Sequence, residues 1–191
     1  MKYIGQSVPR VDARAKVKGE AVFASDMIMP GQAYMKMLMS HRPHAIVKHV
    51  DTSQAESLPG VLTVLTSLDV PNNEFGYYTY DQPVLCGPSQ KPFADRVRYV
   101  GDRVAAVVAE TEAIAAKACE LIRVEYEDLP VVCDVEDALK PGAPILHPDV
   151  GSNMFSHHKL YNGDVEAGFR QADVIVESVL NTPAQEHAYL Q

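Results

Sequence analysis

No stretch of the chain is apolar for the roughly 18 consecutive residues that a membrane-spanning helix requires, and no basic run followed by an apolar core opens it, so no secretory leader is expected. Basic residues are in the minority, with 17 Lys and Arg against 25 Asp and Glu and a net charge of −8. That balance works against a nucleic-acid surface, which needs a basic stripe to meet phosphates, and against docking on anionic lipid. Cysteine is scarce as well. Cys86, Cys119 and Cys133 are too widely spaced for a C-x-x-C pair, so neither a zinc nor an iron–sulfur site has a local anchor. Reduced thiols in a cytoplasmic protein are the expectation.

What is present is an ordinary globular composition, 47% hydrophobic and 22% charged over 191 residues. That length suits one generous domain, or one domain and part of a second. A chain of this size buries roughly 70% of the surface its unfolded form exposes, and its core needs no disulfide or metal.

Residues 1–20 read as an extended opening with a helical turn near Asp12–Lys16, closed by Gly19. Residues 20–25 read as a strand. Met29-Pro30-Gly31-Gln32 reads as a tight turn, proline presetting φ and glycine supplying a positive one. Buried strands are expected over residues 33–40, where methionine recurs, and over 61–66, with an alternating strand over 44–51 and a short helix over 52–57 between them. Residues 71–96 hold four prolines among aromatics, which predicts a long ordered loop packed against something. The clearest local signal follows. Val104–Glu110 is a continuous apolar strand, Thr111 a helix cap with Glu112 against the positive helix end, and Ile114, Ala115, Ala118, Leu121 and Ile122 keep helical spacing. A strand over 124–126 completes the unit. Farther on, a short helix is expected over 134–139, a wrapping segment over 140–162, a helix from an Asp164 cap to Gln171, and a strand over 174–180.

Residues that look chemical have plainer readings. Adjacent His157 and His158 on an extended segment point to opposite sides and have no Asp, Glu or Cys at ligand spacing. Asp102 beside Gly101 reads as a turn residue. Glu125, Glu127 and Asp128 read as a solvated strand end, since a calcium loop needs regularly alternating oxygen ligands. The methionines of residues 27–39 read as core rather than a cofactor box. No serine sits in a Gly-x-Ser-x-Gly elbow, so a small hydrolase, the weakest alternative, has no local anchor.

Three ordered segments carry a family resemblance. The first is Pro9-Arg10-Val11-Asp12 with Lys16, Gly19, Asp26 and Pro30-Gly31. The second runs from Ser40 and His44-Ala45 through Asp51, Ala55, Leu58-Pro59-Gly60-Val61 and Asp69-Val70-Pro71 to Val97-Arg98-Tyr99-Val100-Gly101, Val104–Glu112, Val124-Glu125-Tyr126 and Leu129-Pro130. The third is Asn153, Gly163-Asp164-Val165, Phe169, Ala172-Asp173 and Gln185-Glu186-His187-Ala188-Tyr189-Leu190. Together they resemble the amino-terminal part of the large, molybdopterin-binding subunit of xanthine dehydrogenase/aldehyde oxidase-type molybdenum hydroxylases.

The resemblance implies an α+β fold, the α/β-hammerhead, described as a mixed sheet with flanking helices. It places that domain at residues 1–132, a linker or wrapping segment at 133–162, and the first helix and strand of the molybdopterin-binding domain at 163–191. It implies a parent enzyme that hydroxylates a purine, an aldehyde or a heteroaromatic with water-derived oxygen. That enzyme holds molybdopterin-molybdenum, with 2Fe-2S clusters and FAD in other domains or subunits. The partners implied are the molybdopterin-binding domain of the same subunit and the iron–sulfur and flavin units; nucleic acid and membrane are not among them, and a homodimer is possible.

The glycine-rich loops and catalytic glutamate of the family belong to a region beyond this sequence, and Gly163 and Gly168 make no phosphate cradle. No catalytic, cofactor-binding or metal-binding residue is therefore assigned to the chain. It is expected to be a fragment, inactive alone and scaffold-like; the alternative is a stand-alone binding or assembly module without chemistry. Within the resemblance His44 belongs to a packing motif, and a metal role for His41, His44 and His49 is not favoured. Glu186-His187 lies near the cofactor face, where bonding across the domain junction is preferred to proton transfer.

Overall fold

A run of valine and alanine with no polar interruption is stable as a strand only when both of its faces are covered. Arg103–Ala109 satisfies that condition as the central strand of a three-stranded sheet, with Val104, Ala105, Ala106, Val107 and Ala109 all buried. The computed structural model describes residues 4–77, 80–89 and 93–186. In chain order the elements are α1 (Ala13–Val17), a 3₁₀ turn (Ala24–Asp26), β1 (Tyr34–Met39), β2 (Ala45–Asp51), α2 (Ser53–Glu56) and β3 (Val61–Leu65). They continue with β4 (Arg96–Val97), β5 (Arg103–Ala109), α3 (Glu112–Leu121), β6 (Arg123–Asp128), α4 (Val135–Ala138) and α5 (Val165–Gln171).

The α+β class stands. The strands form two small sheets, β1-β5-β3 and β4-β2-β6, with every neighbouring pair antiparallel. The two strands flanking α3 therefore belong to different sheets, and the helix carries the chain between them. Its start is fixed by the Thr111 hydroxyl, which accepts the Ile114 amide at 3.2 Å. Ala115 and Ala118 are fully buried on its inner face, and these small side chains let α3 lie close over β1 and β5. The first core joins Ala55, Val64, Ala105, Val107, Ala109, Ala115, Ala118, Cys119 and Ile122. A second joins Ala45, Val47, Cys86, Val97 and Val104, so β5 contributes to both.

The Leu-Pro-Gly turn shows how tightly the first core is closed. Gly60 has φ +86°, and its carbonyl accepts the Glu110 amide at 2.9 Å. A Cβ at this position would lie 2.7 Å from Ile114 Cδ1, so both backbone and packing require glycine.

Three expected features differ. Residues 20–25 form no strand; Asp26 turns back to accept the Phe23 amide at 2.9 Å, and this local bond holds a 3₁₀ turn instead. Residues 174–180 form no strand, because no described strand lies beside them to complete a ladder, and Val174, Val176 and Leu180 are exposed. The methionines are not core. Met27 and Met29 are exposed on the chain before β1, and Met35 and Met39 are exposed on the face of β1 opposite Leu38, which packs on the core; Met37 is half-buried.

The chain divides into two compact units, Met1–Asn153 and Met154–Gln191. At the end of the first, the Asn153 amide donates to the Ala138 and Pro144 carbonyls. In the second, the Asp164 carboxylate caps α5 by accepting the Ala167 amide at 2.9 Å, while Val165 and Phe169 are exposed. Among the described residues no helix is long and apolar enough to cross a membrane.

Gly60→Ala should cost more than about 1 kcal/mol, and Thr111→Ala about 1 kcal/mol. Urea unfolding followed by circular dichroism checks both. An unshifted midpoint for Gly60→Ala would contradict the packing described.

Candidate functional site

Among the described residues the buried polar side chains are Ser40, His44, Ser67, Asn73 and Asp102, and three of them flank the ends of β1, β2 and β5. The three are Ser40, His44 and Asp102. By residue type they are a serine, a histidine and an acid, and their bonding decides against a catalytic relay. The Ser40 hydroxyl donates to the Arg42 carbonyl at 3.2 Å and accepts the Arg42 amide at 3.0 Å. His44 Nδ1 lies 2.6 Å from the Pro130 carbonyl, which can only accept, so that nitrogen carries the proton. Asp102 Oδ2 accepts the amides of Arg98 at 2.5 Å and Tyr99 at 3.4 Å. Each group holds backbone in place. Asp102 is a turn residue, as its pairing with Gly101 suggests, but a buried one that also receives the Ser40 amide on its own carbonyl at 2.7 Å.

Arg98 is the residue that sequence reasoning placed only inside a motif. Its Nε donates to the Leu146 carbonyl at 2.8 Å and its Nη2 to the Phe93 carbonyl at 3.1 Å, joining the end of β4 to the turn just before it and to a segment 48 residues on. Phe93 takes φ +61°, the left-handed conformation uncommon outside glycine, and its ring lies 5.0 Å from the Arg96 guanidinium. The described parts of the long loop carry bonds of their own. Asn73 is buried and reads the backbone of Leu85 in both directions, at 2.8 and 2.9 Å, and Phe75 and Gln82 exchange backbone bonds at 2.7 and 3.1 Å. Phe75 packs under Arg103 at 4.5 Å, whereas Tyr77 and Tyr80 stand exposed. Tyr78 lies outside the described residues. Asn73 carries no sequence signal beyond its position beside Pro71, since an asparagine near proline reads equally well as a solvent-facing turn residue.

A cleft of about 210 Å³ opens at this junction, between Asp81 and Gln82 of the loop, Arg98 and Tyr99, and Leu146 and His147. Burial shapes its electrostatics. It pushes the Cys86 thiol up to about 12, helped by the charge of Asp102, and raises Tyr99. It lowers Arg98, and it lowers His147 with the Arg98 charge adding to the effect. A thiol held protonated is neither nucleophile nor ligand.

The other residues singled out from sequence fall apart in space or face solvent. His41 and His49 are exposed while His44 is buried, so the three make no cluster. His158 Nε2 lies 2.7 Å from the Ser156 hydroxyl on an exposed segment that includes His157. Glu127 pairs with Lys48 at 2.6 Å and Asp128 with Arg42 at 3.6 Å, both exposed, beside exposed Glu125. Glu186 is exposed and His187 lies outside the described residues.

Comparison with known proteins agrees with this architecture. Residues 18–130 match the family model described as aldehyde oxidase and xanthine dehydrogenase, a/b hammerhead domain. The chain belongs to this family, as its hammerhead domain. Among curated relatives, a probable xanthine dehydrogenase subunit of Bacillus subtilis is 46% identical over 183 residues, covering 95% of this chain and 23% of that protein. A nicotinate dehydrogenase large molybdopterin subunit of Eubacterium barkeri is 34% identical, over 98% of this chain and 42% of its own length. Among solved structures, a Cu,Mo-CO dehydrogenase superposes with a TM-score of 0.74 at 32% identity, covering 89% of this chain and 23% of the other. The chain thus spans less than half the length of each.

Among the described residues, no group of three or more His, Cys, Asp and Glu is placed to hold a metal ion.

Cys86 and Cys119 are buried and Cys133 is exposed. A maleimide should therefore label one thiol per folded chain, and Cys133→Ser should abolish that labelling; all three should react after unfolding. Modification of Cys86 in the native protein at the rate of Cys133 would contradict the buried, protonated thiol.

Proposed function

We propose that this chain is the amino-terminal, scaffold-like part of a molybdenum-dependent hydroxylase or dehydrogenase of the xanthine dehydrogenase or aldehyde oxidase type. The observation that carries this reading is the 46% identity along 95% of the chain to a protein of which it spans only 23%. In this reading the parent enzyme hydroxylates a purine, an aldehyde or a heteroaromatic with oxygen from water. Electrons then leave through 2Fe-2S clusters to FAD. The chain itself takes no chemical step. Its groups with chemical potential hold backbone, and the thiol nearest the cleft is kept protonated.

The domain reading follows from the same resemblance: hammerhead over 1–132, a wrapping segment over 133–162, and the opening of the molybdopterin-binding domain over 163–191. We infer that the exposed apolar residues Val174, Val176 and Leu180 meet that domain in the parent. The iron–sulfur and flavin units are the further partners in this reading, and the cytoplasm its compartment. The same apolar surface would favour self-association when the chain is alone.

Two measurements test the proposal. The purified chain should contain no stoichiometric molybdenum and show no dehydrogenase activity; a full complement of the metal would overturn the scaffold role. Replacing the matching segment of the Bacillus subtilis relative with this chain should leave a protein that assembles and retains its metal. Loss of assembly in that chimera would count against the shared architectural role.

A further inference from the structure

The loop after α4 has no regular structure, yet it is closed on itself. Asn153 donates its amide to the Ala138 carbonyl at 3.0 Å and the Pro144 carbonyl at 2.8 Å, and accepts the Leu146 amide at 2.9 Å. The His147 carbonyl accepts the amides of Val150 at 3.0 Å and Gly151 at 3.1 Å, tightening the returning limb. Arg98 Nε ties this closed loop to the sheet through the Leu146 carbonyl, at 2.8 Å. The next side chain, His147, is half-buried and lines the 210 Å³ cleft with Arg98, Tyr99, Asp102, Asp81 and Gln82.

We propose that residues 139–153 form a strap that seats over this cleft while the His147 imidazole is neutral and lifts when it takes a proton. An imidazolium here would be half-buried and subject to the charge of the guanidinium that holds the strap, so the added charge repels the latch itself. The charged groups facing His147 are Arg98 at the end of β4, Asp102 in the turn before β5, Asp81 on the long loop and Asp149 on the strap. The three carboxylates favour the proton. Burial and Arg98 oppose it and prevail, holding His147 below its ordinary value of 6.5. The sign follows. A histidine depressed in the seated state stabilises seating fully above its unfolded value, and that contribution is lost as pH falls through the lower folded value.

Solvent exchange of the Arg98 Nε proton, followed by NMR of the full chain near neutral pH and at about pH 5 and corrected for intrinsic exchange, reads seating, because its bond to the Leu146 carbonyl ties the strap to the sheet. Protection there should fall severalfold from neutral pH to about pH 5, while the Val107 amide in β5 stays protected. His147→Gln should remove the pH dependence, and Asn153→Ala should reduce protection at both pH values. Equal wild-type protection at the two pH values overturns the proposal, as does loss of β5 protection in step with the strap. A direct NMR titration of the His147 ring decides independently of whether His147→Gln folds: titration below the ordinary value supports the strap, and titration at or above it overturns it.

Discussion

Everything in the first unit is arranged around a strand that cannot tolerate water on either side. Burying β5 on both faces demands a helix close on one face and a second layer on the other, and the sequence meets both demands with small side chains. Ala105 and Ala109 lie in one core with Ala115 and Ala118 of α3, while Val104 turns into the other core with Val47 and Val97. At roughly 25 cal/mol per Å² of apolar surface removed from water, this mutual coverage is the main force holding two small sheets together. Neither three-stranded sheet has another way to cover its inner face.

The polar interior follows from the same constraint. Where the strands end, backbone groups remain inside, and each unmet one costs about 1–3 kcal/mol. Asp102, Ser40, Asn73 and Arg98 supply the missing partners. A buried serine, histidine and acid near one another thus give rigidity rather than reactivity. Their roles are read from which atoms they touch, and a list of residue types misses the difference. That rigid, unreactive interior suits a supporting region within an enzyme family.

The sequence was most legible where one segment determines its own form. The apolar run of β5, the Thr111 cap and the spacing of α3 are local signals, as are the Asp164 cap and the Pro30-Gly31 turn. It was least legible where form depends on distant neighbours. Residues 174–180 alternate as a strand should, but alternation without a partner makes no ladder. The Met-rich stretch looked internal because methionine is apolar; α3 covers the face of β1 that carries Leu38, and the methionines at 35 and 39 lie on the other. Arg98 and Asn153 were visible as members of a motif, yet their work is done on carbonyls 48 and 9–15 positions away, which no local pattern encodes.

The protonated state of Cys86 has a consequence beyond its lack of nucleophilicity. Peroxide attacks the thiolate, and the first rung of sulfur oxidation, the sulfenic acid, forms from that species. With its thiol held up to about 12 and 1% exposed, Cys86 offers almost no anion to such an oxidant at neutral pH. A sulfur in this position is spared the oxidation that would place a polar, bulkier group inside the second core.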